Sequence, residues 1–289
     1  MNLFKIGRFQ KEPVGRCGCN RLLQLARIYR HFVVIYVKGK MAYHGALLFE
    51  LIANTILIGV YFAGFMVIFH NFESIAGWSK YEVLFMFTTS WVSYSFSCFF
   101  FWSPMKDMGE LVRTGKFDLY LTRPISPLLY MVLQQFQYTF IPRLVLSLGF
   151  WLYSMGRLPI AWTATSLVLY ALNMLSAFVI FSAITVFTGT VSFWTIKSEE
   201  IVSLLTNNNY GLKNYTDYPL PIYSKGMQSV LTFVVPYAFT GYYPVALLLG
   251  KSTGHPALCY APPLVAAIAG IAACSFWKCG LRHYGSAGA

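Results

Sequence analysis

The chain has 289 residues, of which 57% are hydrophobic and 11% are charged, and its formal net charge at pH 7 is +12. Soluble domains average about 45–50% apolar and about 25% charged residues, so this composition excludes an ordinary soluble protein. The positive charge does not indicate nucleic-acid binding, because the basic residues flank apolar stretches and no separate polar domain presents them. The composition predicts an all-α integral membrane protein.

The N-terminal segment, residues 1–44, carries nine Lys or Arg and one acidic residue, Glu12. Such an excess of positive charge is typical of a cytoplasmic segment. Drawn as a helix, residues 20–40 place apolar side chains on one side and basic side chains on the other, which predicts an amphipathic helix along the inner membrane surface. The alternative is a first span that starts early, which would bury Arg27 and Arg30.

The rest of the chain, residues 45–289, is predicted to be a transmembrane domain with six spans. A span takes about 20 helical residues, because the hydrocarbon layer is about 30 Å thick. Four stretches are long and apolar enough to be single spans: 46–69, 81–102, 128–151 and 257–277.

Residues 160–196 have two readings. They are either one long helix that leaves the membrane or two short spans. The sequence Lys197-Ser198-Glu199-Glu200 favours one long helix, because Ser198 can cap a new helix whose first turn carries both glutamates.

Two apolar pieces follow the stretch 207–221, whose composition is that of a loop. Residues 224–235 and 244–250 are each too short to span a membrane. They therefore predict either one kinked span or a re-entrant hairpin before the last span, and the second is tolerated only where protein or a water-filled cavity surrounds it.

The distribution of basic residues predicts that both termini are cytoplasmic. An even number of spans places the two ends of the chain on one side of the membrane. Fifteen Lys or Arg lie in segments predicted to be inside, which are 1–44, 103–127 and 278–289. The predicted outside loops hold three, at Lys80, Arg157 and Lys251. This asymmetry is the one that orients membrane proteins.

The polar segment 103–127 joins the second and third predicted spans. Met108, Leu111 and Val112 form one short apolar stripe of a helical turn, and Gly115 is predicted to end that turn. Arg123-Pro124 then disfavours helix until the third span begins. These features predict a charged, rigidly ended loop on the cytoplasmic side.

Polar side chains also occur inside predicted spans. Arg143 lies within the third span, and a charge near the midplane costs about 2.5–3.5 kcal/mol on insertion scales, so it is a candidate for function. Its head group also lies within reach of the outer interface, and both readings stay open. The hydroxyl row of the second span, with Ser93 and Ser97, predicts either contacts between helices or the lining of a polar path.

Motifs of catalysis and metal binding were sought in the sequence. Gly250-Lys251-Ser252 looks like the end of a phosphate-binding loop, but Val245 stands where that motif requires its first glycine. The six cysteines do not have the paired spacing of a zinc site. We therefore expect a chain that is not an enzyme and binds no metal or other cofactor itself.

Three parts of the sequence carry a resemblance to a known family. They are Leu111 to Pro124, the Pro- and aromatic-rich pieces 218–223, 235–239 and 243–246, and the end at 280–288, with weaker matches at Gly77-Trp78 and 193–195. The chain resembles the type-2 ATP-binding-cassette (ABC) transporter permeases, in a bacterial branch of uncharacterised exporter permeases, over nearly its whole length from residue 20. Lys116 departs from the family pattern, which has glutamate there.

The resemblance implies a function and a set of partners. Two such permeases, identical or similar, would pair with two ATPase subunits, which bind ATP and Mg²⁺, and would export a substrate across the bacterial cytoplasmic membrane among its lipids. Loop 103–127 would dock on the ATPase through the coupling residues Glu110, Leu111, Arg113, Lys116, Asp118, Tyr120 and Arg123. The candidate translocation path is Arg143, Ser93 and Ser97. The alternative is an ion-coupled carrier or a channel, which predicts acidic or His residues at the midplane.

Overall fold

The computed structural model describes residues 34, 39, 44–134, 137–195, 199–207 and 211–285. The predicted interfacial helix at 20–40 lies outside the described residues apart from two positions. The secondary structure of the described part is almost entirely helical, with one two-stranded hairpin.

The described helices range in length from 4 to 28 residues. In chain order they are α1 (His44–Asn71), α2 (Lys80–Lys106), α3 (Met108–Arg113), α4 (Asp118–Leu121), α5 (Pro127–Gln134), α6 (Ile141–Met155), α7 (Ala164–Thr190), α8 (Glu199–Thr206), α9 (Lys225–Ser229), α10 (Tyr242–Leu248) and α11 (Pro262–His283). Short 3-10 segments cover Tyr138–Phe140, Val191–Phe193, Leu212–Asp217, Leu220–Ile222, Tyr237–Thr240 and Pro256–Tyr260, and a π-helical turn covers Val230–Val234.

Four of the described helices, α1, α2, α7 and α11, are long and apolar enough to cross a membrane. Helices α1, α2 and α11 lie where the first, second and last spans were predicted, but α11 begins and ends later than the predicted 257–277. Helix α7 confirms the reading of residues 160–196 as a single helix. It begins at a reciprocal cap, in which the Ser166 amide donates to the Thr163 hydroxyl (3.2 Å) and the Thr163 amide donates to the Ser166 hydroxyl (2.9 Å).

A tight hairpin fixes the start of α2. Strands β1 (Ser74–Ile75) and β2 (Trp78–Ser79) pair antiparallel across Ala76 and Gly77, which have φ of 50° and 79°. Positive φ at both central residues matches the twist of a two-residue hairpin. The Ser79 amide then donates to the Glu82 carboxylate (2.7 Å), which satisfies a donor that has no partner within the helix.

Helix α2 is the central helix of the described structure. In the most apolar 18 residues of the stretch Lys80–Arg113, which begins with α2, 83% are buried inside the chain. The corresponding share is 17% in α1 and 22% in α11. Helix α2 packs along α6 and α7, and α7 packs along α11. A glycine permits close approach of α7 to α2, since a Cβ added at Gly189 would lie 2.7 Å from the Met105 side chain.

The prediction of one continuous third span at 128–151 is wrong. Helix α5 ends at Gln134, Gln137 is not helical (φ −91°, ψ 80°), and α6 begins at Ile141. Pro142 gives the physical reason, because it has no amide hydrogen and its ring clashes with the carbonyl four residues before it. In the first turn of α6, Pro142 costs no hydrogen bond. The break places Arg143 in that first turn.

Between α7 and α11 the chain is divided into short pieces. The 3-10 segment Leu212–Asp217 packs against α2. Helix α10 lies nearer the start of α2, where a Cβ added at Gly241 would lie 3.2 Å from the Met86 carbonyl oxygen. The π turn ends before Pro236 and α10 has seven residues, so neither apolar piece predicted at 224–235 and 244–250 forms a complete span.

Residues predicted on opposite sides of the membrane collect at opposite ends of α2. At its N-terminal end, the Arg157 guanidinium lies over the Tyr81 ring, 6.0 Å from its centre, and Lys251 forms a 2.7 Å ion pair with Glu82. At its C-terminal end, loop 103–127 contacts the end of α11.

Candidate functional site

Loop 103–127 folds into α3 and α4, which are joined by a tight turn. Gly115 has φ of +69°, a conformation that glycine adopts without strain, and it ends the turn as predicted. The Phe117 amide donates to the Leu111 carbonyl across this turn (3.1 Å). The loop is therefore compact rather than extended.

Phe117 anchors the loop to the rest of the protein. It is completely buried, and its ring meets the rings of Phe193, Trp277 and Tyr284 at centroid distances of 5.3, 6.4 and 5.1 Å, all near edge-to-face. This geometry is favourable for aromatic pairs. The contacts join the loop to the 3-10 turn after α7 and to the end of α11. Sequence analysis did not identify this residue, although it is an aromatic side chain between two charged neighbours.

Asp118 is also held by the end of α11. The Tyr284 hydroxyl donates to the Asp118 carboxylate at 3.0 Å. Burial raises the pKa of the Tyr284 phenol above its ordinary value, and the hydrogen bond to Asp118 raises it further, so the hydroxyl stays protonated and donates. Burial likewise raises the pKa of the partly buried Tyr120 phenol. Of the predicted coupling residues, Asp118 therefore contacts Tyr284, and Tyr120 packs against the buried cluster that contains Phe117.

The other predicted coupling residues form the outer surface of the loop, except Leu111, which packs partly buried against its inner cluster. Lys116 and Glu110 lie 3.9 Å apart with side chains 61% and 65% exposed. An exposed pair of this kind contributes about 0–1 kcal/mol to stability. Arg113 and Arg123 are exposed as well, the second 5.6 Å above the Tyr130 ring. Charges that contribute so little to the fold remain available to a partner.

A second charged region lies beside the middle of α2. Lys213 is fully buried, and its ammonium group donates to the Asp217 carboxylate at 2.8 Å. The same carboxylate oxygen accepts hydrogen bonds from the Trp91 indole (2.9 Å) and the Thr216 hydroxyl (3.3 Å). Lys213 and Trp91 therefore both donate to one oxygen of Asp217, while the Thr216 hydroxyl, which has a single hydrogen, lies nearer the Lys213 carbonyl, at 2.8 Å. Sequence analysis missed this pair, because its surroundings have the composition of a loop; the signal was the i, i+4 spacing of Lys and Asp.

Arg143 lies close to the Trp91 ring, which also contacts this ion pair, and to two further aromatic rings. Its guanidinium carbon lies 5.0 Å from the centre of the Trp91 ring and 5.6 Å from that of Tyr94, with Phe140 at 5.2 Å. The Lys213 ammonium lies 5.1 and 5.2 Å from the first two rings. We call Arg143, Lys213, Asp217, Trp91 and Tyr94 the Arg143 cluster. It contains two cations and one acid.

Ser93 and Ser97 lie in the contact between α2 and α7. The Ser93 hydroxyl donates to the Met174 carbonyl (3.4 Å), and the Ser182 hydroxyl donates to Ser97 (3.0 Å). Both are almost completely buried, at 3% and 0% exposed. Within this chain they join one helix to another, and a role in lining a path stays a prediction.

The comparisons with known proteins give one family. The family model described as "ABC-2 family transporter protein" matches residues 55–288. The matched region includes loop 103–127, the Arg143 cluster and the end of α11. No curated protein and no solved structure matches the chain at a significant level.

Proposed function

We propose, from the premise that this chain belongs to the ABC-2 family of transporter proteins, that it is the permease subunit of an ABC exporter driven by a separate ATPase chain. Membership of the family makes the chain a multi-pass transport subunit of a membrane, and its long apolar helices agree with that. The observation that carries the proposal is loop 103–127, which presents exposed charges outward and a buried aromatic anchor inward.

The two faces of the loop give it a means to transmit force. An ATPase that docks on the outer charges moves the loop, and Phe117 passes the displacement to the ends of α7 and α11. Helix α2 leads into the loop and α5 follows it, so the same displacement reaches four membrane helices. The hydrogen bond from Tyr284 to Asp118 joins the loop to the end of α11, so it limits movement of the loop relative to that helix. ATP and Mg²⁺ bind the partner ATPase.

The proposed topology has six crossings with both termini in the cytoplasm. Helices α1, α2, α7 and α11 cross as single helices, and the broken segments α5–α6 and α8–α10 supply the other two crossings. The basic residues support this orientation, since Arg157 and Lys251 lie at the end of α2 opposite the loop. A cysteine introduced at Glu73 should react with an impermeant maleimide in intact cells, and one at Glu110 should not. Labelling of position 110 and not of position 73 would show that the orientation is the opposite of the one proposed.

A second permease, identical or similar, completes the proposed complex with two ATPase subunits in the bacterial cytoplasmic membrane. The outer surface of α1 supports contact with lipid or with another permease, because large apolar side chains such as Phe49 and Val60 are 76% and 63% exposed there.

The alternative function, an ion-coupled carrier, expects an acidic residue within the membrane. Asp217 is such a residue, but Lys213 neutralises it in a 2.8 Å ion pair, and the Trp91 indole donates to the same oxygen. Proteoliposomes distinguish the two functions. Substrate accumulation that needs ATP and the ATPase supports the exporter, whereas accumulation driven by an ion gradient without ATP supports the carrier.

The test of the proposed function is purification of the tagged permease from its native membrane. We expect an ABC ATPase, identified by mass spectrometry through its phosphate-binding loop, in stoichiometric complex, and we expect no ATP hydrolysis by the permease alone. A permease that hydrolyses ATP alone, or an ATPase whose turnover is the same with and without it, would contradict the proposal.

A further inference from the structure

One charge in the Arg143 cluster lacks a counter-charge. The Asp217 carboxylate is paired with Lys213 and also accepts a hydrogen bond from the Trp91 indole. In the part of the chain that the structure describes, the buried Nε of Arg143 has no hydrogen-bond acceptor, and no ion pair to Arg143 is formed. Unpaired cations deep in a membrane protein are costly and mark functional sites.

The depth of Arg143 places this charge within the bilayer. Trp91 and Tyr94, which the guanidinium approaches, are 11 and 14 residues from Lys80 at the start of α2. At about 1.5 Å per residue they lie about 16–21 Å along α2, near the middle of a layer about 30 Å thick. The break before α6 brings Arg143 to this level, so its head group is not at the outer interface.

The groups around Arg143 favour one kind of ligand. A guanidinium binds carboxylate and phosphate through two parallel hydrogen bonds, and it keeps its charge at all physiological pH values. The partly buried Phe140 ring, 5.2 Å from the guanidinium carbon, adds a surface suited to an apolar body, whereas Trp91 and Tyr94 are 0% and 2% exposed. Asp217 neutralises the nearby Lys213 ammonium, so the net charge of the cluster is the single positive charge of Arg143, which favours an anion. Arg143 as a whole residue is only partly buried, while its Nε is buried and has no acceptor.

We propose that Arg143 binds the oxyanion of an amphipathic molecule, a carboxylate or phosphate, while the Phe140 ring contacts its apolar part. This inference rests on the proposed function and names its substrate class as anionic amphiphiles. The same chemistry is offered by a phospholipid of the bilayer and by a separate amphipathic solute.

Equilibrium binding of radiolabelled dodecyl phosphate to the full-length permease tests the proposal. The protein is placed in nanodiscs of phosphatidylcholine, which carry no net charge. Saturable binding is expected, with dodecanoate as an effective competitor and dodecyltrimethylammonium as a poor one. Equal competition by the cationic amphiphile would overturn the proposal.

Variants assign the binding to Arg143. Arg143→Gln should weaken dodecyl phosphate binding about tenfold or more, because the charged hydrogen bonds are lost. The matched control is Arg157→Gln, which removes an arginine that also lies over tyrosine rings, at the outer end of α2. The control should bind like the wild type. Equal affinity of Arg143→Gln and the wild type would refute the assignment.

A second measurement uses only wild-type protein, in case Arg143→Gln does not fold. Dodecyl phosphate that carries a diazirine on its alkyl chain should, on illumination, label the peptide that contains Phe140. Dodecanoate should reduce that labelling. Labelling confined to other peptides would overturn the proposal.

Phosphatidylglycerol in the nanodiscs distinguishes the two sources of the oxyanion. If the natural ligand is a bilayer lipid, phosphatidylglycerol raises the apparent dissociation constant of dodecyl phosphate in the wild type and not in Arg143→Gln. If it is a separate solute, the dissociation constant stays unchanged. Both results support the oxyanion site. Because no ATPase is present, failure here leaves the coupling experiment intact, and failure of ATPase coupling leaves this measurement intact.

Discussion

Loop 103–127 and the Arg143 cluster contain the same kinds of charged residues in opposite surroundings. The Lys116–Glu110 pair is more than half exposed at 3.9 Å, whereas the Lys213–Asp217 pair is 0% and 6% exposed at 2.8 Å. Water screens the first pair, so its loss changes stability little. In the second pair, loss of one partner leaves a buried charge alone. Loss of a charge from the exposed pair is therefore expected to leave the fold intact, whereas loss of a charge from the Lys213–Asp217 pair is expected to destabilise it.

The largest expected effect is that of Asp217→Asn. It removes the counter-charge of Lys213, and breaking a buried pair costs about 3–5 kcal/mol. Thermal unfolding of the purified permease should move to a clearly lower temperature. The matched control is Glu110→Gln in the exposed pair, with an expected change of about 0.5 kcal/mol or less. Similar destabilisation by the two variants would remove the distinction between the regions.

A double variant sharpens that result. Lys213→Met with Asp217→Leu removes both charges, and replacement of a whole buried ion pair by apolar residues is often neutral. The double variant should therefore be more stable than Asp217→Asn. Stability equal to or below that of the single variant would show that packing or the Trp91 hydrogen bond, rather than the unpaired charge, causes the loss.

Phe117→Ala is expected to have the next largest effect. Truncation of a buried aromatic side chain costs about 3 kcal/mol, and here it also frees the loop from the ends of α7 and α11. Both thermal stability and ATPase stimulation should fall. Leu119→Ala is the control for stability, since Leu119 is 65% exposed. Normal stimulation in a folded Phe117→Ala protein would exclude Phe117 as the route of transmission.

Tyr284→Phe should have a smaller effect. It removes the hydroxyl that donates to Asp118 and keeps the ring that packs on Phe117, so we expect a loss of about 0.5–1.5 kcal/mol. Chemical unfolding of the wild type and the variant measures the difference. A Tyr284→Phe protein that is as stable as the wild type would mean that the bond adds nothing to the attachment of the loop.

The parts of the fold that depend on local sequence were predictable. Bilayer thickness sets the length of a span, so the apolar runs of α1, α2 and α11 were predicted from the sequence alone. The loop followed from its polar composition, with Gly115 as its stop. Pro142 was a visible signal for the break before α6, but the apolar run around it suggested a continuous helix.

The contacts of the buried charges were not predictable from one sequence. Trp91 and Asp217 are 126 residues apart, and their hydrogen bond forms only because segments that are far apart along the chain pack together. Arg143 was identified as unusual, whereas its position beside Trp91 depends on the break in the third span. The composition near Lys213 indicates a loop, and it does not show that this loop is buried, because its burial is decided by the helices that surround it.

The most direct test of the account measures ATPase stimulation and thermal unfolding on the same purified complexes. Arg113→Ala and Arg123→Ala change the outer surface of the loop, and Arg282→Ala changes an exposed arginine at the end of α11 as a control. The account predicts that the two loop variants lower stimulation about fivefold or more, with unfolding temperatures within about 2 °C of the wild type. The control should change neither. Normal stimulation in both loop variants, or a loss only in proportion to unfolding, would contradict a coupling role for loop 103–127.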